Sequence, residues 1–152
     1  ENASIPSELM NKLISLFGGE VNEEIFEQRF GENEVILFGE GYGNKVQACG
    51  KDYLKGNSFI LFDVCVNGKY LSRENVDNIA KYFNIDSVPV LFKAPLLKGV
   101  DYVRTKPNST IGTAKMEGLV ARPSFELRDE NGSRIIVKIK VHDFERLENE
   151  EQ

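Results

Sequence analysis

Hydrophobic and polar residues recur with two different periods along this chain. Apolar residues spaced three and four apart are typical of amphipathic helices, because such positions share one side of a helix. Together with residues that begin and end helices, this spacing predicts four helices. The first is capped within Ser4-Ile5-Pro6-Ser7, carries Leu9, Met10, Leu13, Ile14 and Phe17, and stops at Gly18-Gly19. The second covers Asn22–Phe30, with Val21, Ile25 and Phe26 inward. The third is capped by Ser72 and carries Val76, Ile79, Ala80 and Phe83, and the fourth is an acidic tail helix over Asp143–Gln152.

Alternating and continuous apolar runs predict strands between these helices. The runs are Val35–Phe38, Phe59–Val66, Lys69–Leu71, Val88–Phe92, Met116–Arg122, Ser124–Arg128 and Arg134–Val141. Turns are predicted at the glycine-rich Gly39–Gly43, at the two-residue hairpin signal Asn67-Gly68, and at Asp129–Ser133. Between Ala94 and Thr113, prolines and glycines interrupt any long element. Short strands joined by hairpins, with interspersed helices, indicate an α+β fold with antiparallel sheets and flanking helices.

Length and composition favour one domain without a membrane partner. The chain has 152 residues, of which 41% are hydrophobic and 28% charged, so it can bury one core and does not have the composition of a disordered protein. Neither a repeat nor a linker divides it, and we expect residues 1–152 to form a single domain. Since no apolar run approaches a membrane span and the first residues do not resemble a signal peptide, a cytoplasmic location is expected.

The available side chains narrow the chemistry further. Cys49 and Cys65 are the only cysteines and His142 is the only histidine, so a zinc site would lack ligands. The two cysteines are expected to be buried thiols. A formal net charge of -5 counts against a protein that contacts phosphates over its whole surface. Binding of nucleic acid would therefore need a local basic face or a further segment.

Two lysines near the end of the chain stand at strand spacing. In the predicted strand Arg134–Val141, alternation places Ile135, Val137, Ile139 and Val141 on a core face. Lys138 and Lys140 share the other face, close enough to hold one phosphate together. Taken alone, such a pair is also what any solvated strand face carries.

Two glutamates and an aromatic residue can each be interpreted either as ligand-binding residues or as ordinary structural residues. Glu117, beside Gly118 at the start of a strand, suits a divalent metal, and it also suits a strand end in water. Glu40 lies among Gly39, Gly41 and Gly43, where backbone approaches a ligand closely and a carboxylate fits a ribose hydroxyl or a metal, or it lies in an ordinary turn. An aromatic residue of Phe59–Asp63 is expected either to stack on a purine or to belong to the core.

In their order along the chain, these segments resemble the motifs of the covalent nucleotidyltransferases, the superfamily of ATP-dependent ligases and capping enzymes. The similarity is strongest to the phage-type RNA ligases and extends from Glu1 to Phe144. The similar segments are Phe38–Gly43 for motif III, Leu61–Val64 for motif IIIa, Glu117–Arg122 for motif IV, Lys138–Lys140 leading to Asp143-Phe144 for motif V, and Glu1–Pro6 for the residues after motif Ia. The resemblance implies the ligase and capping-enzyme nucleotidyltransferase (ATP-grasp-like) fold.

The resemblance also implies a role for each residue. Glu40 would contact the ribose, Phe62 would stack on adenine with Phe59 as the alternative, Glu117 would help to bind Mg²⁺ or Mn²⁺, and Lys138 and Lys140 would hold the α-phosphate of ATP. In the family's reaction a lysine takes AMP from ATP. The AMP then passes to a 5′-phosphate end, and a 3′-hydroxyl attacks that end to join the RNA strands.

One part of the family pattern is not found ahead of motif III. The family's nucleophile is the lysine of a Lys-x-Asp-Gly motif, and an arginine in motif Ia follows it. Before Glu40 the only lysine is Lys12, which lies in the predicted first helix. We therefore expect an N-terminally truncated adenylation domain whose nucleophile belongs to a separate segment. Lys115, in Lys115-Met116-Glu117-Gly118, mimics the nucleophile motif, but it follows Glu40 in sequence and would take Glu117 from its metal role.

The sequence leaves several alternatives open. A DNA ligase or a capping guanylyltransferase would share the same segments, and the partner would be either single-stranded RNA ends or a nicked duplex. The sequence does not decide between ATP and GTP as the nucleotide substrate, because an aromatic ring stacks on either purine. A naturally short, non-catalytic nucleotide- or RNA-binding module is the alternative to an enzyme.

Overall fold

A computed structural model describes residues 5–42, 58–111 and 115–150 of the chain. The helices and strands are, in order, α1 (Ser7–Phe17), α2 (Glu20–Phe30), β1 (Val35–Tyr42), β2 (Ser58–Val66), β3 (Lys69–Tyr70), α3 (Arg73–Tyr82), β4 (Asp86–Ser87), α4 (Leu96–Arg104), β5 (Gly118–Ala121), β6 (Val137–Lys140) and α5 (Val141–Glu150). They divide into two compact units, Glu1–Val88 and Pro89–Gln152. Such units occur within one domain as well as between domains, so the single domain stays a prediction.

The first unit is built on a sheet in which β2 is central. β1 pairs with β2 along its whole length and β3 pairs with the end of β2, both antiparallel. β4 pairs with β2 in parallel, after the crossover through α3. The mixture of helices and mainly antiparallel strands agrees with the predicted α+β class. The sequence did not indicate the parallel pair, because β4 has only two residues.

One face of this sheet holds the core of the first unit. Leu61 and Val64 of β2 are fully buried against α3, whose Val76 and Ile79 are each 2% exposed. Burial of each such aliphatic side chain stabilises the fold by about 1.5–3 kcal/mol. The core face of the sheet therefore depends mainly on α3, as the apolar spacing of that helix predicts.

Aromatic rings extend this core to the two N-terminal helices. The ring of Phe17 in α1 packs edge-on against Phe59 of β2, with 5.6 Å between centroids, and Phe26 of α2 stacks on Phe83 at 4.5 Å. Two details of the prediction were wrong here. Val21 is 71% exposed rather than inward, and α1 begins after Pro6, which makes no side-chain cap hydrogen bond. Ser4 lies outside the described residues.

Two local signals in the first unit are confirmed. Asn67 and Gly68 both have positive φ, 48° and 75°, as a two-residue hairpin requires between β2 and β3. Ser72 caps α3, and its side chain accepts a hydrogen bond from the backbone N–H of Asn75 at 3.4 Å. Both signals lie in neighbouring residues, although Asn67 also accepts a hydrogen bond from the backbone N–H of Glu34 at 2.9 Å.

The predicted Gly39–Gly43 turn is wrong in its described part, because β1 continues through Tyr42. Gly39 and Gly41 are strand residues whose missing side chains let other groups approach. The predicted strand Val88–Phe92 is also absent, since β4 ends at Ser87 and Phe92 is exposed. Glu40 therefore lies within a strand, where its side chain has a fixed face.

The second unit consists of α4, the antiparallel pair β5–β6 and α5. Val103 of α4 is fully buried, and Ile139 of β6 is 7% exposed. The sequence predicted no element where α4 lies. Pro95 precedes the helix, where its missing N–H is harmless, and Gly99 faces Leu119 and Ile139 in the helix interior.

The C-terminal strands are shorter than the sequence predicts. Arg134 forms only an isolated bridge with Arg128, so Ser124–Arg128 is not a strand and β6 begins at Val137. Ile135 and Val137 are exposed by about two fifths, contrary to their predicted core positions. The turn Asp129–Ser133 is confirmed by hydrogen bonds in both directions between its ends, and the tail helix begins two residues early, at Val141.

Across residues 5–42, 58–111 and 115–150, every helix is too short or too polar to cross a membrane.

Candidate functional site

A β-bulge interrupts the pairing of β1 with β2 at the predicted aromatic residue. Phe38 pairs with Asp63 and Gly39 pairs with Leu61, so Phe62 is an extra residue on β2. A bulge of this kind bends the strand and re-aims a side chain. Leu61 faces the core, Asp63 is 4% exposed, and Phe62 between them is 36% exposed. The strand thus presents the ring of Phe62 at its surface between two buried neighbours.

The burial of the two candidate rings distinguishes Phe62 from Phe59. The ring of Phe59 packs against the core of the first unit and against Phe17. A base would have to displace these contacts to stack on it. The exposure of Phe62 therefore favours it as the aromatic that a planar ligand would meet.

Glu40 lies on the face of the sheet that is opposite the core. Alternation along β1 places Glu40 with Phe38 and Tyr42, while Gly39 and Gly41 face the helices. Glu40 pairs with Ile60 and is exposed. We call this side of the first unit the Glu40 face. It presents a carboxylate two residues from the bulge.

Tight packing explains the glycine before Glu40. A Cβ on Gly39 would lie 2.0 Å from Cζ of Phe59 and 2.6 Å from the carbonyl oxygen of Ile60, both closer than contacts allow. The missing side chain lets Phe59 lie flat beneath β1. The glycine next to the carboxylate therefore serves packing.

Sequence reasoning missed a polar cluster on the Glu40 face. The hydroxyl of Tyr42 donates a hydrogen bond to Oδ2 of Asp86 at 3.0 Å and also bonds with Ser58. Burial raises the pKa of the Tyr42 hydroxyl, the bond with Ser58 opposes this shift, and Asp86 adds to it. Asp86 is 44 residues away in sequence. Only the alternation of Glu40 and Tyr42 in one strand hinted that both belong to one face.

In the second unit, β5 and β6 bring the predicted lysines together. Lys138 pairs with Val120 and Lys140 pairs with Gly118, so both lysines lie on the face opposite the buried Ile139. Both are exposed. The predicted alternation therefore holds for Lys138–Lys140, and the two lysines share one face.

Glu117 is fixed at the end of this hairpin by its backbone. It precedes β5, its side chain is exposed, and its carbonyl oxygen accepts a hydrogen bond from the N–H of Val141 at 2.9 Å. A Cβ on Gly118 would lie 2.2 Å from the carbonyl oxygen of Ile139. Glycine at position 118 therefore lets the strands approach closely and brings the backbone of Glu117 opposite Val141. Alternation along β5 puts Glu117 with Leu119, on the face opposite the two lysines.

Lys115, the competing nucleophile, lies outside this hairpin. It forms an isolated antiparallel bridge with Asn108, and its side chain is exposed. Its surroundings therefore provide none of the burial by which a lysine nucleophile is activated.

The donor set for a metal is small. Within the described parts of the chain, no group of three or more His, Cys, Asp or Glu side chains is arranged to hold a metal ion. Mg²⁺ is often held by one or two carboxylates together with substrate phosphates and water. Glu117 offers a single carboxylate, which fits that mode of binding and does not fit a site made of protein ligands alone.

Charge is distributed unevenly between the units. Glu1–Val88 contains eight Lys and Arg against 14 Asp and Glu, a net charge of -6. In the second unit, residues 89–142 contain ten Lys and Arg against five Asp and Glu, a net charge of +5, and the acidic residues 143–152 bring the whole unit to +1. The basic residues of the second unit therefore concentrate ahead of its acidic tail.

An open depression of about 330 Å³ lies on another part of the first unit. Its lining includes Glu23, Glu27, Phe26 and Phe30 of α2. The two carboxylates would repel a phosphate. The depression contains none of the residues predicted from the sequence, so we do not assign it to the site.

Comparison with known proteins gives one finding. A family model described as RNA ligase matches residues 8–140. No curated protein matches the chain.

Proposed function

The chain belongs to the RNA ligase family, and from that premise we propose that it forms the nucleotide- and RNA-binding part of an ATP-dependent adenylation domain. The observation that carries the proposal is the hairpin β5–β6. It places two exposed lysines on one face and Glu117 at its end, within a region of basic charge. This arrangement suits a ligand that carries phosphates and a divalent cation.

In the first unit, the nucleoside is the proposed ligand. The exposed ring of Phe62 stacks on the purine, because an aromatic face provides binding energy without regard to the substituents of the base. The carboxylate of Glu40 accepts hydrogen bonds from the ribose hydroxyls. The bulge and the burial of Phe59 support this assignment of the two phenylalanines.

In the second unit, the phosphates are the proposed ligand. Lys138 and Lys140 bind the α-phosphate and neutralise the charge that develops on it as the bond to pyrophosphate breaks. Glu117 contributes one oxygen to a bound Mg²⁺ or Mn²⁺. When bound, that cation withdraws charge from the phosphate oxygens.

The proposed reaction begins with transfer of AMP to a lysine. The lysine nitrogen attacks the α-phosphorus, pyrophosphate leaves, and the nitrogen loses a proton. The AMP then passes to the 5′-phosphate of an RNA end, and a 3′-hydroxyl displaces it to join the strands. We propose that the attacking lysine is not among residues 1–152 and comes from a separate segment that carries the Lys-x-Asp-Gly motif.

Nucleotide binding to the chain tests the first part of this proposal. Isothermal titration with ATP and Mg²⁺ is carried out on the wild type, Lys138→Ala, Lys140→Ala and Glu40→Gln. Loss of a hydrogen bond to a charged group costs about 1.5–3 kcal/mol, so each variant should bind about 10-fold to 150-fold more weakly. Lys98→Ala on α4 and Glu74→Ala on α3, both exposed, are the matched controls and should bind like the wild type.

Intact-protein mass spectrometry after incubation with ATP and Mg²⁺ tests the origin of the nucleophile. No covalent AMP on this chain is the expected result. A mass increase of one AMP that maps to Lys115 would overturn this part of the proposal.

In the titration, weak binding by the control variants as well as by the site variants would contradict the assignment of the nucleotide site.

A further inference from the structure

Glu40 lies in the part of β1 where the local sequence restrains the backbone least. Glycines flank it on both sides, and glycine has more backbone freedom than any other residue. The bulge interrupts the ladder just before it, where Phe38 pairs with Asp63 and Gly39 with Leu61. A carboxylate that must meet a small ligand group needs firm support, and neither flanking residue has a side chain to provide it.

Tyr42 provides an anchor immediately after this segment. It is 5% exposed and lies on the Glu40 face, two residues from Glu40 along β1. Its hydroxyl reaches across the sheet to Asp86, beyond the intervening strand β2. The hydrogen bond therefore ties β1 to β4, while the bond of the same hydroxyl with Ser58 ties β1 to β2.

Asp86 is itself fixed in place. Its neighbour Ser87 donates a hydrogen bond to Asp77 of α3 at 2.7 Å. Arg73 donates two further hydrogen bonds to Asp77, which lower the pKa of that carboxyl below its usual range. Glu40 pairs with Ile60, and Ile60 pairs with Asp86, so Glu40 and Asp86 lie in one row across the sheet. The anchor thus extends from α3 to the strand that carries Glu40.

We propose that the hydrogen bond between Tyr42 and Asp86 positions Glu40 for the ribose, so that both residues control how well the site distinguishes nucleotides with ribose hydroxyls from those without them. This inference rests on the proposed nucleotide site. Tyr42 and Asp86 act through Glu40 and are positioning residues. Their effect should therefore disappear when the ribose hydroxyls or the Glu40 carboxylate are removed.

The test measures dissociation constants for AMP and for 2′,3′-dideoxy-AMP by titration of the full chain. The variants are Tyr42→Phe and Asp86→Ala, which break the hydrogen bond, and Asp86→Asn, which keeps an acceptor oxygen. The first two should weaken AMP binding by about threefold to tenfold, the worth of one hydrogen bond, and leave 2′,3′-dideoxy-AMP unchanged. Asp86→Asn should stay within about twofold of the wild type.

Three comparisons separate positioning from a merely structural role. In a Glu40→Gln background, Tyr42→Phe should have no further effect on AMP binding. Tyr82→Phe, which alters an exposed tyrosine of the same unit, should bind like the wild type. Circular dichroism and thermal melting show whether each variant is folded. Should Tyr42→Phe fail to fold, Asp86→Ala tests the same bond from its exposed end.

The outcomes also separate this inference from the proposed function. Equal weakening of both nucleotides, or an unchanged preference in Tyr42→Phe and Asp86→Ala, would overturn the positioning role while the nucleotide site stands. A wild-type chain that binds neither nucleotide would overturn the proposed function itself. In a third outcome, Glu40→Gln abolishes the preference of the wild type for AMP, and Tyr42→Phe and Asp86→Ala do not. Glu40 would then keep its role in ribose binding, and Tyr42 and Asp86 would have no positioning role.

Discussion

Replacement of Gly39 by alanine tests the packing that underlies the candidate site. The added Cβ would lie 2.0 Å from Cζ and 2.4 Å from Cε2 of Phe59, and 2.6 Å from the carbonyl oxygen of Ile60. The ring of Phe59 also packs edge-on against Phe17, 5.6 Å away between centroids. Moving the ring would disturb that contact, and the carbonyl of Ile60 belongs to the neighbouring strand.

The magnitude follows from the kind of atoms in the way. Overpacking of a well-packed core costs typically about 1–3 kcal/mol. Because one obstacle is backbone, the strands themselves must separate, and we expect Gly39→Ala to lower the free energy of unfolding by about 2–3 kcal/mol. A small gain of at most about 1 kcal/mol from the reduced freedom of the unfolded chain opposes this loss.

Gly41 provides a matched comparison in the same strand and on the same face. Its added Cβ would meet only Cδ2, Cδ1 and Cγ of Leu9, the nearest at 2.2 Å, and no backbone atom is among these three closest neighbours. The tip of a leucine side chain can shift to another rotamer, so Gly41→Ala should cost less, about 1 kcal/mol. Urea denaturation followed by circular dichroism measures both values on the same chain.

The relative stability of Gly39→Ala and Gly41→Ala shows whether a backbone obstacle costs more than a side-chain obstacle. A Gly39→Ala protein within about 0.5 kcal/mol of the wild type would show that β1 and β2 separate at little cost, and the close approach would then not explain the glycine. A Gly41→Ala protein less stable than Gly39→Ala would refute the distinction between backbone and side-chain obstacles. Phe59→Leu added to Gly39→Ala should recover part of the loss, since it removes the ring but not the carbonyl.

Two further predictions concern stability. Ser72→Ala removes the cap of α3 and should cost about 0.5–1 kcal/mol in urea denaturation, the low end of the range for caps because the bond is long; Ser72→Asp should restore the wild-type value, and a loss in both would contradict the capping role. The pKa of Tyr42 is raised from 10.0 in the folded state, so its stabilising contribution is complete below pH 10.0 and is lost as the pH rises through the raised value. Wild type should lose stability above pH 10.0 more steeply than Tyr42→Phe, and equal slopes would count against the raised pKa.

Local signals were those that the sequence could predict. The cap at Ser72 and the hairpin at Asn67-Gly68 have signals in neighbouring residues, and both are confirmed. The alternation around Ile139 also placed Lys138 and Lys140 correctly on one face. Such features follow from the period of the chain and the chemistry of turns.

Features that depend on distant residues could not be predicted in this way. Gly39 and Gly41 were interpreted as turn residues, because the packing of Phe59 and Leu9 against them is not visible in the sequence. Gly99 was interpreted as a helix breaker, although tertiary packing of α4 outweighs its weak helix propensity. The bond from Tyr42 to a residue 44 positions away had no local signal at all.

The bulge at Phe62 adds one residue to β2 without changing which face the residues on either side of it occupy. Positions 35 to 38 of β1 and positions 39 to 42 pair with β2 in registers that differ by this one residue. If Phe62 were deleted, the ladder between β1 and β2 would therefore be continuous. All the remaining residues of both strands would keep the face that they have now. In a sequence alignment, a related strand without the aromatic would differ by a single-residue gap rather than by a substitution. Phe62 is thus the one residue of β2 that does not lie opposite a position in β1, and its contribution is to be sought in its side chain rather than in the ladder.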